Sequence, residues 1–170
     1  PLCSVLTLGV PVNPTRRMKL LRFHGGMLAD RKRTEGYRRA IFETVRPGDV
    51  LNLKGVQIEV VPAYNLNKAF HPKEEEWVGF IVEIDGTRIY HAGDTDRIPE
   101  MDNFKVDVAL LPVSGTYVMT AEEAAEAATV ISPKVSIPMH YGSIVGTAVD
   151  AKRFQSLCTG LVAEVLNKEG

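Results

Sequence analysis

In the segment Tyr90-His91-Ala92-Gly93-Asp94-Thr95-Asp96, an apolar run stops on a histidine, turns through a glycine and leaves two carboxylates at its exit. Ligand chemistry is often mounted at strand ends, because a rigid sheet fixes position and the following loop gives access. A second apolar run, Lys134 to Met139, stops on His140. If both runs are strands of one sheet and near neighbours, Asp94 and His140 project from the same rim and offer an oxygen and a nitrogen donor. Zinc accepts both. A catalytic zinc takes three protein ligands and keeps one position open for a water whose acidity it raises. His71, in a polar stretch between two predicted hairpins, is the candidate third ligand. Each residue also has a plain structural role. Gly-Asp-Thr is ordinary turn chemistry, in which Asp bonds nearby amides. His140 can be a core histidine bonded to a backbone carbonyl, His71 a surface loop residue before Pro72, and His91 can point into the sheet. Spacing alone does not separate these readings.

The elements that must position these residues show regular signals from Gly36 onward. Pro47-Gly48-Asp49 is a turn, Val50 to Leu53 a short strand, Lys54-Gly55 a tight turn, and Val56, Ile58 and Val60 alternate on one face of the returning strand. The stretch from Ala63 to Glu76 is rich in Asn, Lys, Glu and Pro and reads as a surface loop. From Trp77 to Ile84 the alternation resumes, with Val78, Phe80, Val82 and Ile84 on one side, and Asp85-Gly86 is a two-residue hairpin signal leading into Thr87 to His91. The last third alternates strand and helix. Val106 to Val113 is nearly all apolar, as a strand buried on both faces is. Thr120 and Glu123 are spaced as a capping box for a helix with Ala121, Ala124, Ala128 and Ile131 along one face, ended by Ser132-Pro133. After the strand closing at His140, a helix from about Thr147 to Gly160 turns Ala151, Phe154, Leu157 and Cys158 inward, and Leu161 to Asn167 reads as a last strand. Hairpins followed by strand–helix units predict an α/β fold, with helices covering one side of a mixed sheet.

The chain has 170 residues, of which 45% are hydrophobic and 24% charged, enough for one domain with a real core. No apolar run approaches bilayer-spanning length, and the opening residues lack a secretory layout. Cys3 and Cys158 lie far apart with no CxxC partner, which fits a reducing cytoplasm rather than a disulfide scaffold or a thiolate zinc site. The net charge of −1 is unevenly divided. Residues 1–40 carry nine Lys or Arg against Asp30 and Glu35, a net +7, leaving −8 for the rest. Such a leader is a candidate nucleic-acid arm or targeting peptide, although Arg-rich stretches without amphipathic period are more often just solvated or disordered.

Taken together, "VPAYNLNKAFHP", "WVGFIVEIDGTRIYHAGDTD", "VDVALLPVSGTYVMTAEEAAEAA" and "PKVSIPMHYG" resemble, in order, the metallo-β-lactamase-fold hydrolases, in particular the ascorbate-lactonase-like group of metal-dependent hydrolases. The resemblance runs from about Gly36 to the C-terminus. It implies an αββα sandwich, here incomplete, with a mixed sheet and helices on its outer side. It also implies that Asp94 bridges two metal ions and that His140 binds one of them. Where relatives place a further histidine after an Ala-aromatic pair, this chain departs from the pattern with Asn65 after Ala63-Tyr64, and whether His71 substitutes stays open. The family's upstream HxHxDH motif is absent from the 170 residues, whose four histidines are His24, His71, His91 and His140. The expected organisation is therefore a basic leader over residues 1–35, unlike the family, followed by a metallo-β-lactamase-like domain over 36–170.

Two functions follow as expectations. The first is a metal-dependent hydrolase, with zinc, or manganese or iron, activating water against an ester, lactone, amide or phosphodiester bond of a small molecule. Asp94 would be its catalytic residue, and activity would be reduced because the HxHxDH ligands are lacking. The second is a non-catalytic binding or assembly module of the same fold, touching nucleic acid through the leader. An exposed edge or apolar face left by missing strands predicts a homo-oligomer.

Overall fold

The computed structural model describes residues 45–53 and 55–166. The basic leader over 1–35, with Cys3 and His24, lies outside the described residues. Arg46 onward forms a compact unit of its own.

Six strands make one mixed sheet in sequence order: β1 (Val50–Leu53), β2 (Val56–Pro62), β3 (Val78–Ile84), β4 (Thr87–His91), β5 (Val108–Pro112) and β6 (Val135–Met139). The first four are antiparallel neighbours, whereas β4, β5 and β6 run parallel. The hairpin between β3 and β4 turns on Asp85 and Gly86, both at positive φ (50° and 75°), as the two-residue turn requires. Parallel β5 and β6 need a crossover, and α1 (Ala121–Ile131) provides it. Thr120 caps α1 through the amide of Glu123, whose carboxylate accepts the Thr120 amide in return. The last helix, α2 (Ala148–Leu157), begins with the same device at Thr147 and Asp150. It packs against α1, so both helices lie on one face of the sheet.

That face carries the core. Tyr90, Ala109, Leu111 and Ser136 point from β4, β5 and β6 towards the helices and are fully buried, as are Ala124, Ala127 and Ala128 of α1 and Phe154 of α2. Small alanines let the helix approach the sheet closely, and Phe154 fills the space beside them. The opposite face is apolar as well but less covered. Register places Ile58 beside Val82, Val60 beside Phe80, and Val82 beside Ile89. The row Val78, Phe80, Val82 and Ile84 thus lies on this second face, half-buried and ending at an exposed Ile84, while Gly79 and Ile81 are the buried residues of β3.

Two expectations need correction. Leu161 to Asn167 does not form a strand within the described residues up to Leu166. It touches the sheet at one bridge, between Ser136 and Ala163. The Ser136 amide donates to Val162 and its carbonyl accepts from Glu164. Two residues on, the same edge of β6 presents Pro138, which has no N–H to extend the ladder. The polar stretch from Ala63 to Glu76 is also not wholly a surface loop. It contains a 3-10 turn, η1 (Lys73–Glu75), and it buries Tyr64, Asn65 and His71.

Candidate metal centre

Because β4, β5 and β6 are parallel, their C-terminal ends open on one rim, and the three following loops meet there. Ligand sites in such sheets lie at that rim. Asp94 leaves β4 after the Ala92-Gly93 turn, Ser114 follows β5, and His140 directly follows β6. Gly93 sits at φ 69°, and a Cβ there would lie 2.8 Å from the carbonyl oxygen of Val78, so the turn that presents Asp94 depends on glycine. His71 comes from the loop after β2, and its ring stands edge-on to Trp77.

Asp94 lies between the two histidines. Its Oδ1 is 3.5 Å from His140 Nε2 and its Oδ2 is 3.5 Å from His71 Nε2. The far nitrogens are held by one loop: His71 Nδ1 is 3.3 Å from the carbonyl oxygen of Tyr117, and His140 Nδ1 is 3.0 Å from Ser114 Oγ. A carbonyl only accepts, so His71 Nδ1 carries the proton in that contact. In the neutral imidazole, Nε2 then presents a lone pair towards Asp94. Two acceptors facing one another favour a cation between them. A separation of 3.5 Å is close to the spacing, about 3.4 Å, of two tetrahedral ligands at zinc–nitrogen and zinc–oxygen bond lengths. Nitrogen and oxygen donors of this kind suit zinc, manganese or iron. The residues present therefore fit a divalent ion, but as part of a donor set. Among the described residues, no three or more His, Cys, Asp or Glu side chains come together as a group that could hold a metal ion, so Asp94, His71 and His140 make up only part of a donor set.

Both histidines adopt left-handed backbone, at φ 51° for His71 and 61° for His140. Histidine enters that region more readily than most residues, and such strained positions gather at functional sites. The Asn65 side chain hydrogen-bonds to backbone carbonyls. Its Nδ2 donates to the carbonyls of Phe70 and Tyr117, both at 2.8 Å, so it ties the residue before His71 to the loop whose carbonyl meets His71 Nδ1. Its Oδ1 is buried without a partner among the described residues. His91 stays apart, exposed, with Nδ1 accepting the Gly93 amide.

The second carboxylate of the opening segment has different work. Asp96 is buried and accepts the Leu66 amide at 2.9 Å and the ammonium of Lys68. Thr95, also buried, accepts the Tyr64 amide and donates to the Tyr64 and Asp96 carbonyls. Tyr64 donates from its hydroxyl to Glu100, with Lys73 alongside. Burial first, and Glu100 as well, push the Tyr64 hydroxyl above its ordinary 10.0 and keep it a donor. Sequence reasoning missed Ser114, the Tyr117 carbonyl and Lys68, and gave Asp96 no role of its own. The first two were signalled by Ser114-Gly115 at the end of a buried strand, by the same logic that selected Asp94 and His140.

A mixed sheet with helices on one face and a histidine–carboxylate rim beyond three parallel strands defines a metallo-β-lactamase-type fold. The family described as "Beta-lactamase superfamily domain" matches residues 24–140, and the chain belongs to it. A metal-dependent hydrolase of Pyrococcus abyssi is 36% identical over 121 residues, covering 68% of this chain and 54% of its own length. The chain spans about half the length of the curated relatives it matches. Among solved structures, a protein of Parabacteroides distasonis described as a metal-dependent hydrolase is 33% identical with a TM-score of 0.68, covering 80% of this chain and 62% of that one. A protein of Thermotoga maritima, described as a zinc-dependent hydrolase of the metallo-β-lactamase superfamily, is 26% identical with a TM-score of 0.54, covering 72% of each chain.

Proposed function

We infer that this chain is a hydrolase whose rim of Asp94, His71 and His140 holds a divalent ion, zinc in the first instance, and acts on an ester, lactone, amide or phosphodiester bond of a small molecule. The observation that carries the reading is a carboxylate with one oxygen towards each of two imidazoles, both braced at their far nitrogens by the same loop. A bound ion would supply an acidified water and a positive charge for the oxyanion that develops during hydrolysis. The chain's own residues do the positioning. Asp94 Oδ1 and Oδ2 share a centre between His140 and His71, the Tyr117 carbonyl holds His71 in the tautomer that exposes Nε2, and Ser114 orients His140. With three donors from these elements, the expected occupancy is a weakly held ion and the expected turnover is low.

The reading includes a self-associated chain in the cytoplasm. Support for association comes from Leu53 and Ile84, exposed at 51% and 44% on the sheet face opposite α1 and α2. No helix among the described residues is long and apolar enough to cross a membrane. The binding-module alternative gains nothing from the relatives, and the leader on which it rests lies outside the described residues.

The test is metal analysis of the purified chain beside hydrolysis of an activated ester. Wild-type protein should retain a divalent ion, or take up added Co²⁺, and Asp94→Ala should abolish both binding and any ester hydrolysis. A chain that binds neither zinc nor cobalt at millimolar concentration overturns the reading.

A further inference from the structure

We propose that Lys68 and the buried Asp96 form a latch that seats His71 beside Asp94, so that Lys68 is a positioning residue of the centre; this rests on the metal reading of the same rim only for its functional consequence. The loop from Tyr64 to His71 has little regular structure of its own to fix it, yet it must hold an imidazole against the Asp94 carboxylate. Beside its bonds to the Tyr117 carbonyl, several of its attachments converge on the residues just after Asp94. The Asp96 amide donates to the Tyr64 carbonyl, the Leu66 amide donates to Asp96 Oδ2, and Lys68 donates to Asp96 Oδ1. The Asn65 amide donates in turn to the His71 carbonyl, which closes the loop on itself and carries the anchoring through to the histidine.

Charge explains why a lysine is needed. The Asp96 side chain is only 4% exposed, and a carboxylate so placed requires a counter-charge as well as an amide donor. Among the described residues, Lys68 is the cation that reaches it, and its own side chain is 20% exposed. The ammonium also lies 3.6 Å from Glu123, the residue that completes the capping box of α1. One side chain therefore ties the loop to both the β4 exit and the first turn of α1. It also neutralises Asp96, two residues from Asp94, so that the second carboxylate is engaged away from the centre.

The experiment uses the full 170-residue chain as wild type, Lys68→Met, Lys68→Arg and Asp96→Asn. Amide hydrogen exchange is followed at Asn65 and Leu66, with α2 as the internal reference, and Co²⁺ binding is followed by its visible absorption. Exchange at Asn65 and Leu66 should rise about tenfold or more in Lys68→Met and Asp96→Asn, with α2 unchanged, and Co²⁺ affinity should fall by about 10- to 100-fold. Lys68→Arg, which keeps the charge, should restore both. Unchanged exchange in Lys68→Met overturns the latch, as does a rise spread evenly over the whole chain. A local rise with unaltered Co²⁺ affinity removes its link to the centre. If wild type binds no Co²⁺, the metal reading fails instead, and exchange alone decides the latch.

Discussion

At the scale of single residues, the two carboxylates of Gly93-Asp94-Thr95-Asp96 divide their labour. Asp94 faces two imidazoles, while Asp96 is buried and bonded to the loop that carries one of them. Both functions need the same chemistry, an acceptor held at a fixed point, which is why residue type alone does not distinguish them. The difference lies in what each oxygen meets. The same scale offers a test of the brace beneath His140. Ser114 Oγ is its Nδ1 partner, and the hydroxyl is small and partly exposed. Ser114→Ala should therefore leave the urea midpoint nearly unchanged and weaken Co²⁺ binding about tenfold, as loss of an outer-shell partner does. Unchanged affinity in isothermal titration would show that the histidine is held by packing alone.

At the scale of elements, the parallel trio β4–β5–β6 sets the site and the antiparallel half steadies it. Across β2, β3 and β4, Arg88 donates to both oxygens of Glu59 and to Glu83. Its hydrogen bond, and then its charge, hold the Glu59 carboxyl below the ordinary 4.5. A carboxylate whose folded pKa is lowered contributes stability that is present above its ordinary pKa and is lost as pH falls through the folded value. Wild type should consequently lose more stability than Glu59→Gln between pH 5 and pH 3, by about 0.5 kcal/mol for a largely solvated pair. Thermal melts of the two proteins at matched pH measure the difference, and parallel curves would mean that Arg88 contributes nothing there.

At the scale of the whole molecule, the sheet has one face closed by α1 and α2 and another that ends in exposed Leu53 and Ile84. The closed face accounts for the folded unit from Arg46 onward, since Tyr90, Leu111 and Phe154 are fully buried there. The open face carries the expectation of self-association. Light scattering over a concentration series should give a mass above that of one chain, reduced by Leu53→Lys with Ile84→Lys. A monomer throughout, in both proteins, would contradict it.

The sequence by itself determined the elements and the identity of the ligand candidates. Alternation marked the hairpins, Asp85-Gly86 marked their turn, Thr120 and Glu123 marked the start of α1, and strand ends marked Asp94 and His140, because these are local preferences written within a few residues. It also over-read Leu161 to Asn167, where an apolar run was present but the neighbouring edge of β6 lacked a donor at Pro138. Only the tertiary structure decided that His71 joins Asp94, that Ser114 and Tyr117 brace the two imidazoles, and that Lys68 meets Asp96. Those contacts link residues far apart along the chain. They arise when three parallel strands deliver separate loops to one rim, a coincidence in space that no short window of sequence contains.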